Sequence, residues 1–161
     1  MLLVFNLKRY FTVKAFLFKI VFINLIVFTA YLSVKAQDMP LTIIANSKGA
    51  PSELTLGQLR AVLKGEKLRW DDGNKVTIAL MKTNTPIGMN TCKRLYNMTS
   101  NELNKLFLAL VFQGKGEAPT FFNSVSELQT FINQTPGSIG IIESNTTNNE
   151  RVINVDGKKS I

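Results

Sequence analysis

The sequence predicts an α/β domain in which helices pack on a mixed sheet, in two or three layers. Short β-branched runs alternate with segments whose apolar residues recur at helical spacing, and together they give the order β-α-β-α-α-α-β-β. Residues 37–161 make up 125 residues, which suits one domain with a single core, and no internal repeat is visible. These observations favour one small α/β domain.

The first strand and the first helix are marked by their ends. Residues 41–45 (LTIIA) are a β-branched run that stops at the turn-forming residues 46–49 (NSKG), which predicts a buried strand. Thr55 and Gln58 then have capping-box spacing, in which each side chain satisfies a free backbone N–H of the other residue. Apolar residues follow at helical spacing up to Gly65, so we predict a helix that ends there.

A turn separates this helix from the clearest strand of the sequence. Residues 71–74 (DDGN) are consecutive turn formers, and we assign the carboxylates of Asp71 and Asp72 to turn chemistry because adjacent side chains in a turn point apart. Residues 75–81 (KVTIALM) predict the strand, and residues 88–96 predict a helix. The side chains expected on the inner face of that helix are Met89, Cys92 and Leu95 or Tyr96.

Two further helices and two strands complete the predicted domain. Thr99 and Glu102 repeat the capping box, and Ser124 begins the next helix in the same way. The first of these helices has apolar residues at i, i+3, i+4, i+7 and i+8, namely Leu103, Leu106, Phe107, Leu110 and Val111. The inner face expected for the second is Leu128, Phe131 and Ile132. Residues 138–142 and 151–155 predict the last two strands.

Residues 1–36 have the features of a secretory signal peptide. The basic residues Lys8, Arg9, Lys14 and Lys19 precede an apolar run over residues 20–32. Val34 and Ala36 supply the modest and small side chains that a signal peptidase needs, so we predict cleavage after Ala36 and a periplasmic or secreted domain over residues 37–161. An uncleaved signal anchor is the alternative, since residues 16–18 extend the apolar run towards the roughly 20 residues that span a bilayer.

The basic charge of the chain is concentrated in this leader. The whole sequence has 19 basic and 11 acidic residues, a net charge of +8, but five basic and no acidic residues lie within residues 1–36. The remaining domain has 14 basic and 11 acidic residues, a net charge of +3. Nearly balanced charge gives little support for a DNA-binding function, and we expect no nucleic-acid partner.

The sequence has no histidine, one cysteine and one tryptophan. The lack of histidine excludes Ser-His-Asp and Cys-His nucleophile systems and histidine-based zinc sites. We expect the cysteine, Cys92, to be buried as a small apolar residue, with a reactive thiol as the alternative. We expect Trp70 to cover an edge of the core, with a ligand-binding platform as the alternative. No catalytic constellation emerges, so neither an enzyme activity nor a cofactor is expected.

Three segments resemble the substrate-binding proteins of phosphate ABC transporters, within the type 2 periplasmic binding protein-like group. They are residues 54–65 (LTLGQLRAVLKG) with LRW at 68–70, residues 110–119 (LVFQGKGEAP) and residues 135–141 (TPGSIGI). In the family, a capped helix runs into a glycine and then a tryptophan, and the other two segments match the patterns F-x-G-K-G-x-x-P and P-G-A-I-G-Y. The resemblance implies one lobe of a type 2 periplasmic binding protein-like fold.

The resemblance also implies a ligand-binding loop. In the family, the loop after the strand that matches residues 75–81 carries an arginine and a Ser-Gly-Thr sequence, which hold an oxyanion at a helix N-terminus. Here that loop is residues 82–88 (KTNTPIG). The candidate ligand-binding residues are therefore Lys82, Thr83, Asn84, Thr85 and Gly88. Ser-Gly-Thr is absent and lysine cannot form the bidentate fork of arginine, so a solvated polar loop is the alternative.

Two functional hypotheses follow from the resemblance. The first is an exported, non-catalytic relative of phosphate-binding proteins that binds phosphate or another small oxyanion weakly. We expect weak binding, or a partner surface that supplies the other half of the enclosure, because complete family members close two lobes over the ligand. The second is a protein-interaction module that keeps the fold without the ligand and has an envelope or transporter protein as its partner.

Overall fold

A computed structural model describes residues 39–146 and 150–161. The predicted signal peptide, residues 1–36, lies outside these ranges. Among the helices that the structure describes, none is both long enough and apolar enough to cross a membrane.

The described chain contains six strands and four α-helices. The strands are β1 (Leu41–Ala45), β2 (Glu53–Leu54), β3 (Thr77–Met81), β4 (Thr120–Phe122), β5 (Ser138–Glu143) and β6 (Arg151–Val155). The helices are α1 (Leu56–Leu63), α2 (Pro86–Thr91), α3 (Ser100–Phe112) and α4 (Val125–Gln134). A π-helical turn (Cys92–Tyr96) follows α2, and a 3₁₀ turn (Ser144–Thr146) follows β5.

The six strands form one mixed sheet in the order β2-β6-β1-β5-β3-β4. β1 runs antiparallel to both of its neighbours, and the other five strands run in one common direction. All five residues of β1 and the first five of β5 are buried, as expected for strands covered on both faces. The predicted mixed sheet flanked by helices is confirmed.

The connections around β3 place helices on both faces of the sheet. The chain leaves β3 through α2, the π turn and α3 to reach β4 on one side, and it returns from β4 through α4 to β5 on the other side. Because parallel crossovers are right-handed, two crossovers in opposite directions put α4 on the face opposite α2 and α3. The domain therefore has three layers. α4 packs closely on β5, since a Cβ on Gly140 would lie 2.9 Å from Leu128 and 3.1 Å from Ile132.

Polar caps fix the starts of the helices as predicted. The Thr55 hydroxyl accepts a bond of 3.1 Å from the Gln58 N–H, and the Gln58 side chain accepts one of 2.8 Å from the Thr55 N–H. Thr99 and Glu102 form the same reciprocal pair at α3. The two capping boxes that the sequence predicts are therefore confirmed.

Two details of the predicted helices are wrong. Met89, expected to point inward, is 52% exposed, because the helix begins two residues earlier than predicted and places Ile87 and Thr91 on the inner face. Val111 is 46% exposed, because the core side of α3 is covered mainly by Leu103 and Phe107.

The single tryptophan and the single cysteine lie in the core, as expected. Trp70 is 3% exposed, and its indole N–H donates a hydrogen bond of 2.8 Å to the Gly137 carbonyl. Cys92 is 2% exposed. Both side chains serve packing in the fold, and the indole also ties the segment after α1 to the turn before β5.

Candidate functional site

The loop at residues 82–85 lies at the carboxyl end of β3. The Lys82 N–H donates a hydrogen bond of 3.0 Å to the Phe122 carbonyl, which extends the pairing of β3 with β4 by one residue. The chain continues from β3 towards β4 on one side and from the adjacent β5 towards β6 on the other. The connections that follow β3 and β5 therefore leave in opposite directions along the sheet. In open α/β sheets, ligands bind outside the carboxyl ends of two such neighbouring strands, so the fold favours this edge as a binding site.

Thr85 builds the turn that joins this loop to α2. Its hydroxyl donates to the Lys82 carbonyl at 2.7 Å and accepts from the Gly88 N–H at 3.1 Å. Pro86 follows at the first helical position, where its fixed φ and missing N–H are favourable. A threonine followed by proline is a helix-start signal in the sequence itself, and the predicted start at residue 88 is two residues too late.

Gly88 is buried because the loop folds against it. A Cβ at this position would lie 2.0 Å from the Lys82 carbonyl oxygen, so only glycine fits. Its N–H is already bonded to Thr85. Of the five candidate residues, Thr85 and Gly88 therefore shape the loop, and the other three present their side chains around it.

Lys82, Thr83 and Asn84 line a shallow depression of about 400 Å³ together with Asn104 and Phe121. Lys82 and Asn84 are exposed, and Thr83 is half-buried. The five lining residues include one cation and no carboxylate. The Lys82 ammonium has three N–H donors, the Thr83 hydroxyl has one donor, and each asparagine amide has two donors. The depression is therefore a weakly basic surface that is rich in hydrogen-bond donors.

The contributions of α3 and β4 to this depression could not be predicted from the sequence. Asn104 is an exposed polar residue of α3, and Phe121 lies in a three-residue strand. Ser100 also supports the loop, since its hydroxyl donates to the Thr83 carbonyl at 3.0 Å. No motif distinguishes these residues, because only the tertiary packing brings them to the loop.

Cys92 and Asp72 are two of the side chains considered for chemistry from the sequence, and both have structural surroundings. Burial raises the pKa of the Cys92 thiol, an effect that a hydrogen bond with Ser100 partly offsets, so the thiol is protonated at neutral pH. The Asp72 carboxylate accepts a hydrogen bond of 3.0 Å from the Asn74 N–H, which confirms turn chemistry for this acid. Among the described residues, no three His, Cys, Asp or Glu side chains form a cluster that could hold a metal ion.

Comparison with known proteins gives matches at the level of structure. No protein-family model and no curated protein sequence matches this chain. An ABC-type phosphate transport receptor from Vibrio cholerae superimposes with a TM-score of 0.61 at 14% identity, over 76% of this chain and 48% of the receptor. A putative phosphate ABC transporter substrate-binding protein with bound phosphate, from Clostridium perfringens, gives a TM-score of 0.58 at 14% identity, over 75% and 46% of the two chains. PstS from Borrelia burgdorferi superimposes with a TM-score of 0.57 at 18% identity, over 74% of this chain and 48% of PstS.

The chain thus spans about half the length of the solved structures it matches. These neighbours are transport receptors and binding proteins. Because the sequences are only 13–18% identical, these superpositions show a similarity of fold alone. This chain has the α/β fold found in the substrate-binding proteins of phosphate ABC transporters.

Proposed function

We propose that this chain is an exported, non-catalytic binding protein that captures phosphate or another small oxyanion weakly at the loop of residues 82–88. Lys82 supplies the charge, the side chains of Thr83 and Asn84 donate hydrogen bonds, and Thr85 and Gly88 give the loop its shape. The observation that carries the proposal is the position of this donor-rich loop at the carboxyl end of β3, where neighbouring connections diverge. The fold of the phosphate-binding neighbours supports it.

The proposed affinity follows from the groups available. One exposed ammonium about 4 Å from an anion contributes about 1 kcal/mol in water, and each neutral hydrogen bond adds about 0.5–1.5 kcal/mol net. Loss of ligand freedom opposes these gains. The sum corresponds to a Kd of about 1 mM or weaker, for which the binding free energy is about −4 kcal/mol.

Titration of the full-length protein with phosphate and sulfate tests this proposal. At a ligand concentration ten times the Kd, the free energy of unfolding should rise by about 1.4 kcal/mol relative to a chloride control of equal ionic strength. The protein should therefore unfold at a higher temperature. Lys82→Ala should reduce this stabilisation to about 0.6 kcal/mol, because the loss of about 1 kcal/mol weakens the Kd about fivefold. Lys158→Ala is the matched control, because this exposed lysine follows β6, three strands away from β3. Equal responses of wild type and Lys82→Ala would refute the site.

A protein-interaction module of the cell envelope is the second candidate. Two observations favour it: the Thr85 hydroxyl and the Gly88 N–H are bonded within the loop, and α3 exposes three large apolar side chains. These are Leu108, Val111 and Phe112, of which Phe112 is 82% exposed. Cross-linking in envelope extracts, with Phe112→Ser as the comparison, distinguishes this candidate, since oxyanion binding does not require Phe112.

A further inference from the structure

A second depression lies at the amino ends of β3 and β4, away from the loop at residues 82–88. Its volume is about 340 Å³, at the lower end of the range of about 300–1,000 Å³ that small-molecule sites occupy. Three parts of the chain form its wall: residues within 62–69, residues 75–78 and residues within 114–120. Because the loop at residues 82–88 follows the carboxyl end of β3, the two depressions lie at opposite ends of this strand.

The pairing of the sheet explains why there is space at this position. The pairing of β3 with β4 begins at Ala79 and Thr120, so residues 76–78 have no partner in β4. The segment after α1 pairs with the chain here instead, since the Val76 N–H donates a hydrogen bond of 2.9 Å to the Leu68 carbonyl. The depression therefore lies where β3 has begun and β4 has not.

Four large apolar side chains line this depression, namely Val62, Leu68, Val76 and Ile78. Their exposure is graded, because Val62 is buried, Val76 and Ile78 are half-buried, and Leu68 is 51% exposed. Apolar surface therefore extends from the core to the rim. A mostly apolar wall with a few polar groups is the usual composition of a small-molecule site.

The charged residues of the wall are mostly basic. They are Lys67, Arg69, Lys75 and Glu117, which give three positive charges and one negative charge. Lys67 pairs with Asp71 at 2.8 Å, and Lys75 pairs with Glu117. In the part of the chain that the structure describes, Arg69 takes part in no ion pair. The excess of positive charge favours an anionic ligand.

Arg69 and Lys75 both suit a carboxylate. Nη1 of Arg69 donates a hydrogen bond of 2.9 Å to the Gly73 carbonyl, which holds the guanidinium in place. A guanidinium has five N–H donors in a planar fork that fits a carboxylate in a bidentate manner. Lys75 already binds the carboxylate of Glu117, but both side chains are exposed and such pairs contribute little to stability. A second carboxylate can therefore compete for Lys75.

We propose that this depression binds a small organic carboxylate with an apolar body, such as a medium-chain fatty acid. Arg69 holds the carboxylate, and the apolar body packs against the four apolar side chains of the wall. Each methylene that becomes buried should strengthen binding by up to about fourfold. The site is separate from the loop at residues 82–88 and does not depend on the proposed oxyanion binding.

Amide chemical shifts of the ¹⁵N-labelled full-length protein test the site, with octanoate as the probe. Saturable shifts are expected at the backbone N–H groups of residues 67–69, 75–78 and 114–118, which distinguishes this site from binding elsewhere on the chain. Octanol has the apolar body without the charge, and acetate has the charge without the apolar body, so each should bind at least about fivefold more weakly. A lack of shifts at these residues, or equal affinities for octanoate and either control compound, would overturn the proposal.

Variants test the roles of the charged groups. Arg69→Ala should weaken octanoate binding about fivefold, whereas Lys115→Ala should leave it unchanged, because Lys115 is exposed in the same segment as Glu117 and does not line the depression. Glu117→Gln should strengthen binding by up to about fivefold, because it removes the carboxylate that competes for Lys75. Equal affinities of wild type and Arg69→Ala, or weaker binding by Glu117→Gln, would overturn the proposal.

Discussion

Replacement of Gly88 by alanine would insert a Cβ into a close backbone contact of the loop at residues 82–88. The added carbon would lie 2.0 Å from the Lys82 carbonyl oxygen, 2.7 Å from the carbonyl carbon and 3.0 Å from the Met81 carbonyl oxygen. All three neighbours are backbone atoms, so no side-chain rotation can relieve the contact. The first turn of α2 or the end of β3 must move instead.

The expected cost follows from that displacement. Inserting atoms into a well-packed region typically costs about 1–3 kcal/mol, and backbone neighbours put this case at the upper end. The bond from the Gly88 N–H to the Thr85 hydroxyl, 3.1 Å long, should be lost as well, which adds about 0.5–1.5 kcal/mol. We therefore expect the free energy of unfolding to fall by about 2–4 kcal/mol.

Gly57→Ala provides a matched comparison of opposite sign. Gly57 lies in the first turn of α1, and a Cβ there would have its nearest neighbour at 3.9 Å. Alanine in a helix is more favourable than glycine by about 0.5–1 kcal/mol, so this variant should be as stable as wild type or slightly more stable.

Equilibrium urea unfolding, followed by circular dichroism, measures both variants. The Gly88→Ala midpoint should fall markedly while the slope stays unchanged, and the Gly57→Ala midpoint should stay or rise. A neutral Gly88→Ala variant would refute the close approach of α2 to the end of β3, and with it the loop geometry on which the proposed site depends.

Three further perturbations test separate parts of the fold. Trp70→Phe should lower the free energy of unfolding by about 1–3 kcal/mol in urea melts, because the Gly137 carbonyl loses the 2.8 Å bond from the indole and keeps only the 3.2 Å bond from the Thr77 N–H, and because the smaller ring underfills a buried position; a neutral effect would contradict the indole contact. Phe112→Ser should change the free energy of unfolding by no more than about 0.5 kcal/mol, since the side chain is 82% exposed; a large loss in the same assay would mean that it is covered. Hydrogen bonds from Thr99 lower the pKa of Glu102 in the folded state. The ionised Glu102 carboxylate therefore stabilises the fold above its unfolded pKa of about 4.3, and this stabilisation disappears as the pH falls through the lower folded pKa. Thermal melts should therefore show the gap between wild type and Glu102→Gln narrowing below about pH 4, and a gap that widens there would contradict this assignment.

Features with local signals could be predicted from the sequence. Reciprocal caps identify the starts of α1 and α3, because the interacting side chain and N–H groups lie three residues apart. β1 and β5 are apolar runs bounded by turn formers, and all five residues of β1 pair with residues 139–143 of β5. Such elements carry the information for their own structure within a few neighbouring residues.

Elements that depend on distant partners were missed. β2 has two residues and is defined by parallel pairing with residues 154 and 155, and β4 has three residues and is defined by pairing with β3. The π turn and the left-handed Asn97 likewise have no periodic signature. The predicted inward orientation of Met89 is wrong because the helix buries Ile87, Gly88 and Thr91 instead, and the Thr-Pro pair at its start is the one local signal for these bounds.

The loop after β3 can be predicted in position from the sequence, and the depression beside it only partly in composition. A resemblance to binding proteins indicated the loop after β3, and packing then divided its residues into those that shape the loop and those that face solvent. Asn104 and Phe121 join the depression through the placement of α3 and β4, which the sequence pattern does not specify.

The central claim is that Lys82 and its neighbours bind an oxyanion, and amide chemical shifts test it most directly. On titration of the ¹⁵N-labelled full-length protein with phosphate, we expect saturable shifts concentrated at the backbone N–H groups of residues 83–85 and at the side-chain amides of Asn84 and Asn104, with an apparent Kd about fivefold weaker in Lys82→Ala. Shifts that are absent, or that follow ionic strength over the whole surface equally in wild type and Lys82→Ala, would contradict the account.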